Sequence, residues 1–385
     1  MELEREKPIY LKNKVKRMLL MENEITLNVG TNFRINQIER FAELNKRYEG
    51  IRIGSVFGSL RTDVLDLPSA RPDFRLAETD QRTFELFVSI ARKSRIEVEY
   101  AANATLNNNI IKIHEDLKEI ISQFRYLESV GVTRVILSNP LLMEIVSEYT
   151  NLKIKVSTVV GINKPNAIKH YSRLNVDNIC PDIYINRNFA LLKDLQKVAF
   201  DYNIKVELLA NEVCFYGDVP CNNVLRTACY EHSSMGGNPL QLFNNWPFQR
   251  CQAEREKSSS CWLKIPFILP QHIKKYSELT GITRFKVSGR TNTETYLFWI
   301  IEKYMAQKFE GEIRNLFMLP QNNVPTANFS ITIEDLEKEG FFSSRFNGDG
   351  CCNYNCHECC YCDKIYEKLR LKYNFSRDWE KKYTP

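Results

Sequence analysis

The strongest constraint on the fold is a repeated alternation of short β-rich runs and helix-forming stretches. Eight runs rich in branched and aromatic residues span residues 24–30, 51–57, 96–103, 133–139, 153–161, 182–186, 204–211 and 283–289. Segments with apolar residues three and four positions apart, such as "NFALLKDLQKVAFDYN", lie between most of them. Strands that alternate with helices form parallel sheets, so the pattern predicts an α/β fold, a (β/α)8 TIM-like barrel. An open doubly wound sheet has little support, because no G-x-G-x-x-G motif follows the first run.

The 385 residues are enough for such a barrel with appendages. We expect an N-terminal helical extension over residues 1–21 and a barrel over residues 22–310 that carries a cysteine-bearing insertion at 212–262. Residues 311–385 then form a small cysteine-rich C-terminal extension.

Composition indicates a cytoplasmic chain with many thiols. The N-terminal segment lacks the apolar core of a secretory signal, and no run approaches the roughly 18 apolar residues of a membrane helix, so we expect no membrane partner. The net charge of +6 is spread along the chain and mildly favours anionic partners. Disulfides rarely persist in a reducing compartment, so twelve cysteines indicate metal ligands or redox groups.

Active sites of (β/α)8 barrels lie where strands end and loops begin. Amide and hydroxyl side chains predominate there and carboxylates are scarce, so the strand ends offer few residues for a hydrolase mechanism that uses two carboxylates. The candidate catalytic or substrate-orienting residues are Asn103, Asn211, His232 and Arg290. Arg290 is suited to a carboxylate or phosphate, although an ion pair within the barrel mouth is an equal alternative. The asparagines have helix capping and turns as their alternative roles.

Five cysteines between residues 214 and 261 predict a four-thiolate site in the insertion. The preferred ligands are Cys214, Cys221, Cys251 and Cys261, with Cys229 as the substitute. The alternative is that several of the five are small buried hydrophobic residues.

A second group of thiols lies near the C-terminus, where Cys352, Cys356, Cys359 and Cys362 follow the pattern C-x3-C-x2-C-x2-C. The first three match the C-x3-C-x2-C formula of radical S-adenosylmethionine enzymes, but they follow the last predicted strand rather than the first. We therefore expect a second iron–sulfur cluster, with a structural zinc site as the next interpretation and a chance cysteine-rich tail as the last.

Two separated motifs resemble those of the U32 peptidase-like family. In "VELLANEVCFYGDVPC", Glu207, Cys214 and Cys221 occupy the family's positions, and Asn211, Glu212, Arg226 and His232 fit a related subgroup. In "TRFKVSGR", Lys286, Gly289 and Arg290 match the lysine, two residues and Gly-Arg that end the family's last strand. The resemblance covers roughly residues 22–305. Two departures are the 30 positions between Cys221 and Cys251 and the presence of Ser288 where many members have Glu.

The resemblance implies a TIM-like barrel with a 4Fe–4S cluster on four cysteines, and members that hydroxylate ubiquinone precursors or RNA bases without dioxygen, in some with prephenate suggested as the oxygen donor. We therefore expect redox modification, specifically oxygen-independent hydroxylation, of a small molecule, peptide or RNA. An electron-donor protein and a homo- or hetero-oligomeric assembly are further partners to consider. The alternatives are a U32-type peptidase and a non-catalytic cluster carrier for electron transfer.

Overall fold

Eight parallel strands close into a barrel in the computed structural model of the chain, in the order in which they occur in the sequence. The strands are β1 (Ile25–Gly30), β2 (Ile51–Gly58), β3 (Glu97–Ala102), β4 (Arg134–Leu137), β5 (Lys153–Val156), β6 (Val176–Ile179), β7 (Lys205–Leu209) and β8 (Arg284–Val287). The structure describes residues 24–71, 76–105, 113–215, 251, 253–255, 258–290, 292–317, 331–346, 352 and 355–372. The predicted (β/α)8 barrel is confirmed.

Amphipathic helices cover the outside of the barrel. They are α1 (Ile35–Arg47), α2 (Gln81–Lys93), α3 (Ile113–Val130), α4 (Pro140–Tyr149), α5 (Asn166–Tyr171), α6 (Phe189–Asp201), α7 (Ile273–Thr280) and α8 (Glu294–Met305). Helix α2 shows why these segments are helical: its buried residues Phe84, Phe87, Val88 and Ala91 recur at three- and four-residue intervals. The Asp80 side chain caps this helix by accepting a hydrogen bond from the Thr83 backbone N–H.

The sixth predicted strand is wrong. Residues Ile183–Ile185 form a 3₁₀ helix, whose first turn is closed by the Asp182 side chain accepting from the Tyr184 N–H. The strand is instead β6, "VDNI", which reads as a loop because Asp177 and Asn178 are polar. Asp177 is used there as a partner of Arg134, with 2.7 Å between its Oδ1 and the arginine Nε. The predicted fifth strand is also too long, because a 3₁₀ helix at Thr158–Val160 follows β5.

Residues beyond 310 pack into the same core as the barrel. Helices α9 (Ile333–Lys338), α10 (Ser343–Phe346), α11 (Cys356–Cys359) and α12 (Tyr361–Lys372) follow α8. Leu316, Leu336 and Phe341 are buried in the core that contains the barrel strands, and so are Ile365 and Leu369 of α12. The predicted N-terminal extension lies outside the described residues. In the part of the chain that the structure describes, no helix is both long and apolar enough to cross a membrane.

A mouth with two cations above a closed ion network

The inside of the barrel is polar, and its centre is one layer of four side chains. Alternate strands of such barrels contribute each layer, and here the odd-numbered strands provide Asn28, Glu99, Lys155 and Glu207. The Lys155 ammonium lies 2.6 Å from Glu99 Oε2 and 2.7 Å from Glu207 Oε2. The Asn28 amide donates to Glu99 at 2.8 Å and to Glu207 at 3.2 Å. All four side chains are buried, so this layer is a closed ion network.

A second ion-paired group lies beside this layer. Arg134 is 2.9 Å from Glu99 Oε1 and 2.8 Å from Glu97 Oε2, and it forms a two-pronged pair with Asp177 at 2.7 and 2.6 Å. Burial alone would raise the pKa of Glu99, but Lys155 and Arg134 lower it to about 2. Glu99 is therefore ionised at neutral pH, and the other carboxylates of this group already have cationic partners.

The carboxyl ends of the strands open into a mouth that has a different charge balance. Lys286 of β8 places its ammonium 3.8 Å from the centre of the Phe57 ring, and the Arg290 guanidinium lies 5.6 Å from the same ring. Arg290 donates to the Ser59 hydroxyl over 3.4 Å. Among the described residues, no carboxylate forms an ion pair with either cation. The mouth therefore presents two positive side chains that the interior carboxylates do not neutralise.

Burial of Lys286 and Arg290 lowers the pKa of both side chains. Burial lowers the pKa of Lys286, and the nearby Cys180 and Glu207 side chains oppose this effect only in part. Burial, with repulsion from Arg71, lowers the pKa of Arg290 to about 9. A bound anion would reverse both effects, so the geometry suits a carboxylate or phosphate group.

Asn103 and Asn211, both predicted to orient a substrate, differ in their surroundings. Asn103 is partly buried at the end of β3, where its side chain bonds the Ala70 N–H and the Ser157 hydroxyl over 3.3 and 3.4 Å. Asn211 is fully buried. Its Oδ1 accepts a hydrogen bond from the Ser288 N–H at 2.7 Å, and its Nδ2 donates one to the Ser288 carbonyl at 3.0 Å. Its amide also reaches the Leu316 carbonyl at 3.4 Å, so both amide hydrogens of Asn211 are used within the protein.

Cys214, the first predicted ligand, lies at the mouth. It packs against Cys180, Ile183 and Leu209, a small cluster just beyond the ends of β6 and β7. The buried Cys180 thiol was no part of the predicted site. Burial raises the pKa of the Cys180 thiol to about 11, so the group is a neutral thiol at neutral pH.

Arg255 connects the Cys214 segment to the later cysteines of the insertion. Its guanidinium donates to the Val213 carbonyl at 2.8 Å and lies 5.0 Å from the Phe215 ring and 5.4 Å from the Trp262 ring. Trp262 directly follows Cys261, which is buried, and burial raises the pKa of its thiol to about 11. The structure thus brings the Cys214 and Cys261 segments together. Cys251 packs against the edge of the main core.

Three predicted site residues, Cys221, Cys229 and His232, lie outside the described residues. Within the described part of the chain, no three histidine, cysteine, aspartate or glutamate side chains stand ready to hold one metal ion. The chemistry of the donors nevertheless fits a thiolate-bound cluster, because sulfur is the ligand that iron–sulfur centres take and Arg255 holds two of the cysteine-bearing segments against each other.

The four predicted tail ligands gather around Cys356. Burial, together with the nearby thiols of Cys352, Cys362 and Cys359, raises the pKa of the Cys356 thiol to about 11. This group also touches the barrel, since the Cys362 thiol donates to the Leu263 carbonyl at 3.4 Å. Cys261 and the tail thiols, about ninety residues apart in sequence, therefore belong to one region of the molecule.

Sequence reasoning missed the central ion network. Its signal is visible in hindsight: "IEVEYAA" and "KIKV" place charged residues at alternate positions of otherwise apolar strands. Side chains two apart face the same side of a strand, so Glu97 shares a face with Glu99 and Lys153 shares a face with Lys155. Nothing local marked Arg255, because its partners are set by tertiary packing.

Comparison with known proteins identifies the family of the chain. The sequence profile of peptidase family U32 matches residues 80–313. A Methanocaldococcus jannaschii protein named an uncharacterized protease is 25% identical over 293 residues, which are 74% of this chain and 81% of that protein. The solved structure of a U32 peptidase is 13% identical, with a TM-score of 0.48 over 69% of this chain and 92% of its own. A putative dehydratase from Mesorhizobium loti is 16% identical, with a TM-score of 0.30 over 49% of this chain and 48% of its own. Because the family profile matches more than half of the chain, the chain belongs to peptidase family U32.

Proposed function

We propose that this chain is an iron–sulfur enzyme that binds an anionic substrate in the barrel mouth and modifies it by redox chemistry, specifically by hydroxylation without dioxygen. The observation that carries the proposal is the position of Cys214. A predicted cluster ligand packs against the Cys180 and Leu209 side chains at the mouth into which Lys286 and Arg290 project. A cluster on this thiol would stand next to the bound substrate.

The ligands in this proposal are Cys214, Cys221, Cys251 and Cys261, with Cys229 as the substitute. A 4Fe–4S cluster, when bound, supplies one-electron transfer. Of the four ligands, Cys261 is already buried in the main core. Arg255 contacts both neighbours of Cys214, the carbonyl of Val213 and the ring of Phe215. The chain thereby restrains the ligand-bearing segments before any cluster binds.

The other mouth residues bind and orient the substrate. Lys286 and Arg290 attract its anionic group, and the Phe57 ring between them provides an apolar surface for the rest of the molecule. Asn103, at the same end of the barrel, is placed to hydrogen-bond a polar substituent. The apolar side chains of Ala101 and Ile136, which pack on Phe57, keep water away from the floor of the mouth.

Hydroxylation without dioxygen requires a second reactant that supplies the oxygen atom. Replacing a C–H bond by C–OH oxidises the substrate by two electrons, so a second reactant that donates the oxygen atom is reduced by the same amount. An oxygen-rich organic acid would also be anionic and would suit the same pair of cations. Binding experiments with anionic probes decide whether the substrate is a small molecule, a peptide or RNA.

A peptidase is the second candidate, favoured by the names of the family and of the M. jannaschii relative. Cysteine proteolysis needs a thiolate activated by a nearby histidine. Burial holds the Cys180 pKa near 11, and two described histidines pack against aromatic rings: His170 against Tyr171, and His272 against Phe342 and Phe346. The described contacts therefore supply no cysteine–histidine pair.

The test compares anaerobically purified wild type with Cys214→Ser and with Cys180→Ser, a matched mouth thiol outside the ligand set. We expect Cys214→Ser to lose about four irons and about four sulfides per chain, together with the visible absorption that dithionite bleaches, and Cys180→Ser to keep them. Equal iron content in wild type and Cys214→Ser would remove the proposal. Casein hydrolysis by the metal-free wild type, abolished in Cys214→Ser, would establish the peptidase instead.

The substrate part of the proposal has its own test. Thermal shifts are measured with 4-hydroxybenzoate, inorganic phosphate and adenosine monophosphate as anionic probes, on wild type and Arg290→Gln. At least one probe should raise the melting temperature of the wild type, and the shift should be absent in Arg290→Gln. Identical shifts in both proteins would place the anion elsewhere.

A further inference from the structure

We propose that Cys352, Cys356, Cys359 and Cys362 form a four-thiolate metal site that fastens helix α12 to the barrel beside Cys261. Nothing in the family resemblance assigns these thiols a role, and they are separate from the ligand set of the mouth. The inference therefore goes beyond the proposed function and does not depend on it.

The local backbone brings the tail thiols to one side. Cys356 and Cys359 begin and end the single turn of α11, and residues three apart face the same side of a helix. Cys360 then adopts the left-handed conformation, with a φ of 47°, and its N–H closes on the Cys356 carbonyl at 3.0 Å. This left-handed residue separates α11 from α12, which begins at Tyr361 and has Cys362 in its first turn.

The thiol group is tied to the barrel from α12. Asp363 accepts a hydrogen bond from the Ser260 hydroxyl at 2.5 Å and pairs with the Lys264 ammonium at 2.9 Å. The Cys362 thiol donates to the Leu263 carbonyl at 3.4 Å. Ser260 and Leu263 flank Cys261 and Trp262, so the tail thiols are held against the segment that carries a predicted cluster ligand.

The charge of this surface suits a thiolate centre. Four thiolates around a divalent ion carry a net charge of about −2, which is unfavourable to bury unless a cation lies nearby. The Lys264 side chain is 15% exposed and is oriented by Asp363 toward the tail. A mostly buried lysine at this place compensates both the Asp363 carboxylate and part of the charge of a metal site.

Packing on the other side of the thiols leaves little freedom to the tail. The Tyr361 ring stacks on Phe341 with ring centres 5.9 Å apart and planes 14° from parallel. Ile365 and Leu369 are buried in the main core. The backbone of α12 is therefore restrained by Phe341 and the core on one side and by Ser260 and Lys264 on the other. Among the described residues the four thiols do not already stand in metal-binding geometry, so the proposal requires their side chains to move onto the metal.

The ligand chemistry, four neighbouring thiolates, is shared by zinc and by an iron–sulfur cluster. The experiment measures zinc, iron and sulfide on the full-length, anaerobically purified protein. It compares wild type with a Cys356→Ser, Cys359→Ser double variant and with Cys360→Ser, which removes an adjacent thiol outside the set.

The double variant should lose either about one zinc, or about four irons with about four sulfides, per chain. The first loss identifies a zinc site and the second a cluster, and Cys360→Ser should retain the metal in either case. Unchanged metal content in the double variant overturns the proposal, and so does an equal loss in Cys360→Ser.

Two further measurements separate this site from the mouth and from misfolding. Cys214→Ser should keep the tail metal whatever happens to the mouth iron, so failure of the proposed function leaves this readout intact. Hydrogen exchange should quicken at least tenfold in residues 361–372 of the double variant and stay unchanged in β1 to β8. Unchanged exchange in residues 361–372 of a metal-depleted double variant would refute the fastening role.

Discussion

Lys155→Met should be among the most destabilising single substitutions in the barrel. Lys155 is fully buried, and its ammonium is the shared partner of Glu99 and Glu207 at 2.6 and 2.7 Å. Without it, Glu99 keeps Arg134 at 2.9 Å, while among the described residues Glu207 keeps only the hydrogen bond from the Asn28 amide at 3.2 Å. Removing one partner of a buried ion pair typically costs about 3–5 kcal/mol, because the other charge stays buried without compensation.

Urea unfolding at pH 7 measures this loss. Lys153→Met is the matched control: Lys153 lies on the same strand, is exposed and bonds Asn175, so we expect a change within about 0.5 kcal/mol. Adding Glu207→Gln to Lys155→Met removes the unpaired carboxylate and should recover much of the loss. A loss below about 1 kcal/mol for Lys155→Met, or no recovery in the double variant, would refute the reasoning.

The pH dependence of the same variant gives an independent check. In the wild type the Glu99 pKa lies near 2, below its ordinary value of 4.5. The contribution of Glu99 is therefore fully present above pH 4.5 and is lost as the pH falls toward 2. In Lys155→Met the unpaired carboxylate gains from binding a proton, so the stability deficit relative to wild type should be smaller at pH 5 than at pH 7.

Three further substitutions test other parts of the structure. Lys286→Met should raise the free energy of unfolding, measured in urea, by about 1 kcal/mol, because it removes a cation that burial destabilises. The same variant should no longer be stabilised by phosphate. A loss of stability would mean that Lys286 has a structural partner. Burial holds the pKa of His272 near 4. Because the unfolded chain binds the proton first, this residue should lower wild-type stability by about 3 kcal/mol between pH 6.5 and pH 4. His272→Leu should reduce this pH dependence in urea titrations at several pH values. Gly58→Ala should destabilise by about 1–3 kcal/mol, because the added carbon would lie 2.6 Å from the Phe33 ring, whereas Gly54→Ala, with 3.1 Å to its nearest neighbour, should lose less in the same assay.

The barrel could be predicted because its signal is repeated eight times and each repeat is local. Alternating apolar residues mark β7 and β8 within a few residues of their true ends. The sixth strand failed because its polar residues are inside the barrel. The pairing of Asp177 with Arg134 joins β6 to β4 across the interior, and a single sequence carries no mark of such a contact.

The site was predictable to a smaller extent, and the reason differs between residues. Arg290 and Lys286 follow from their place at the end of a strand, which topology alone brings to the mouth. The structural use of Asn211 depends on Ser288 and Leu316, 77 and 105 residues away. The closeness of the tail thiols to Cys261 depends on the pairing of Asp363 with Lys264, which is equally remote in sequence.

The closed ion network and the open mouth depend on each other. Glu207 lies close enough to Lys286 to influence its pKa. Because the Glu207 carboxylate is already paired with Lys155, the Lys286 ammonium can bind an anion at the mouth. We therefore expect Lys155→Met to weaken the binding of an anionic probe as well as stability, because the released carboxylate would compete for Lys286. Adding Glu207→Gln should restore the anion-dependent thermal shift together with the stability. If stability recovers in this double variant while the anion shift does not, the network acts only as a support for the barrel.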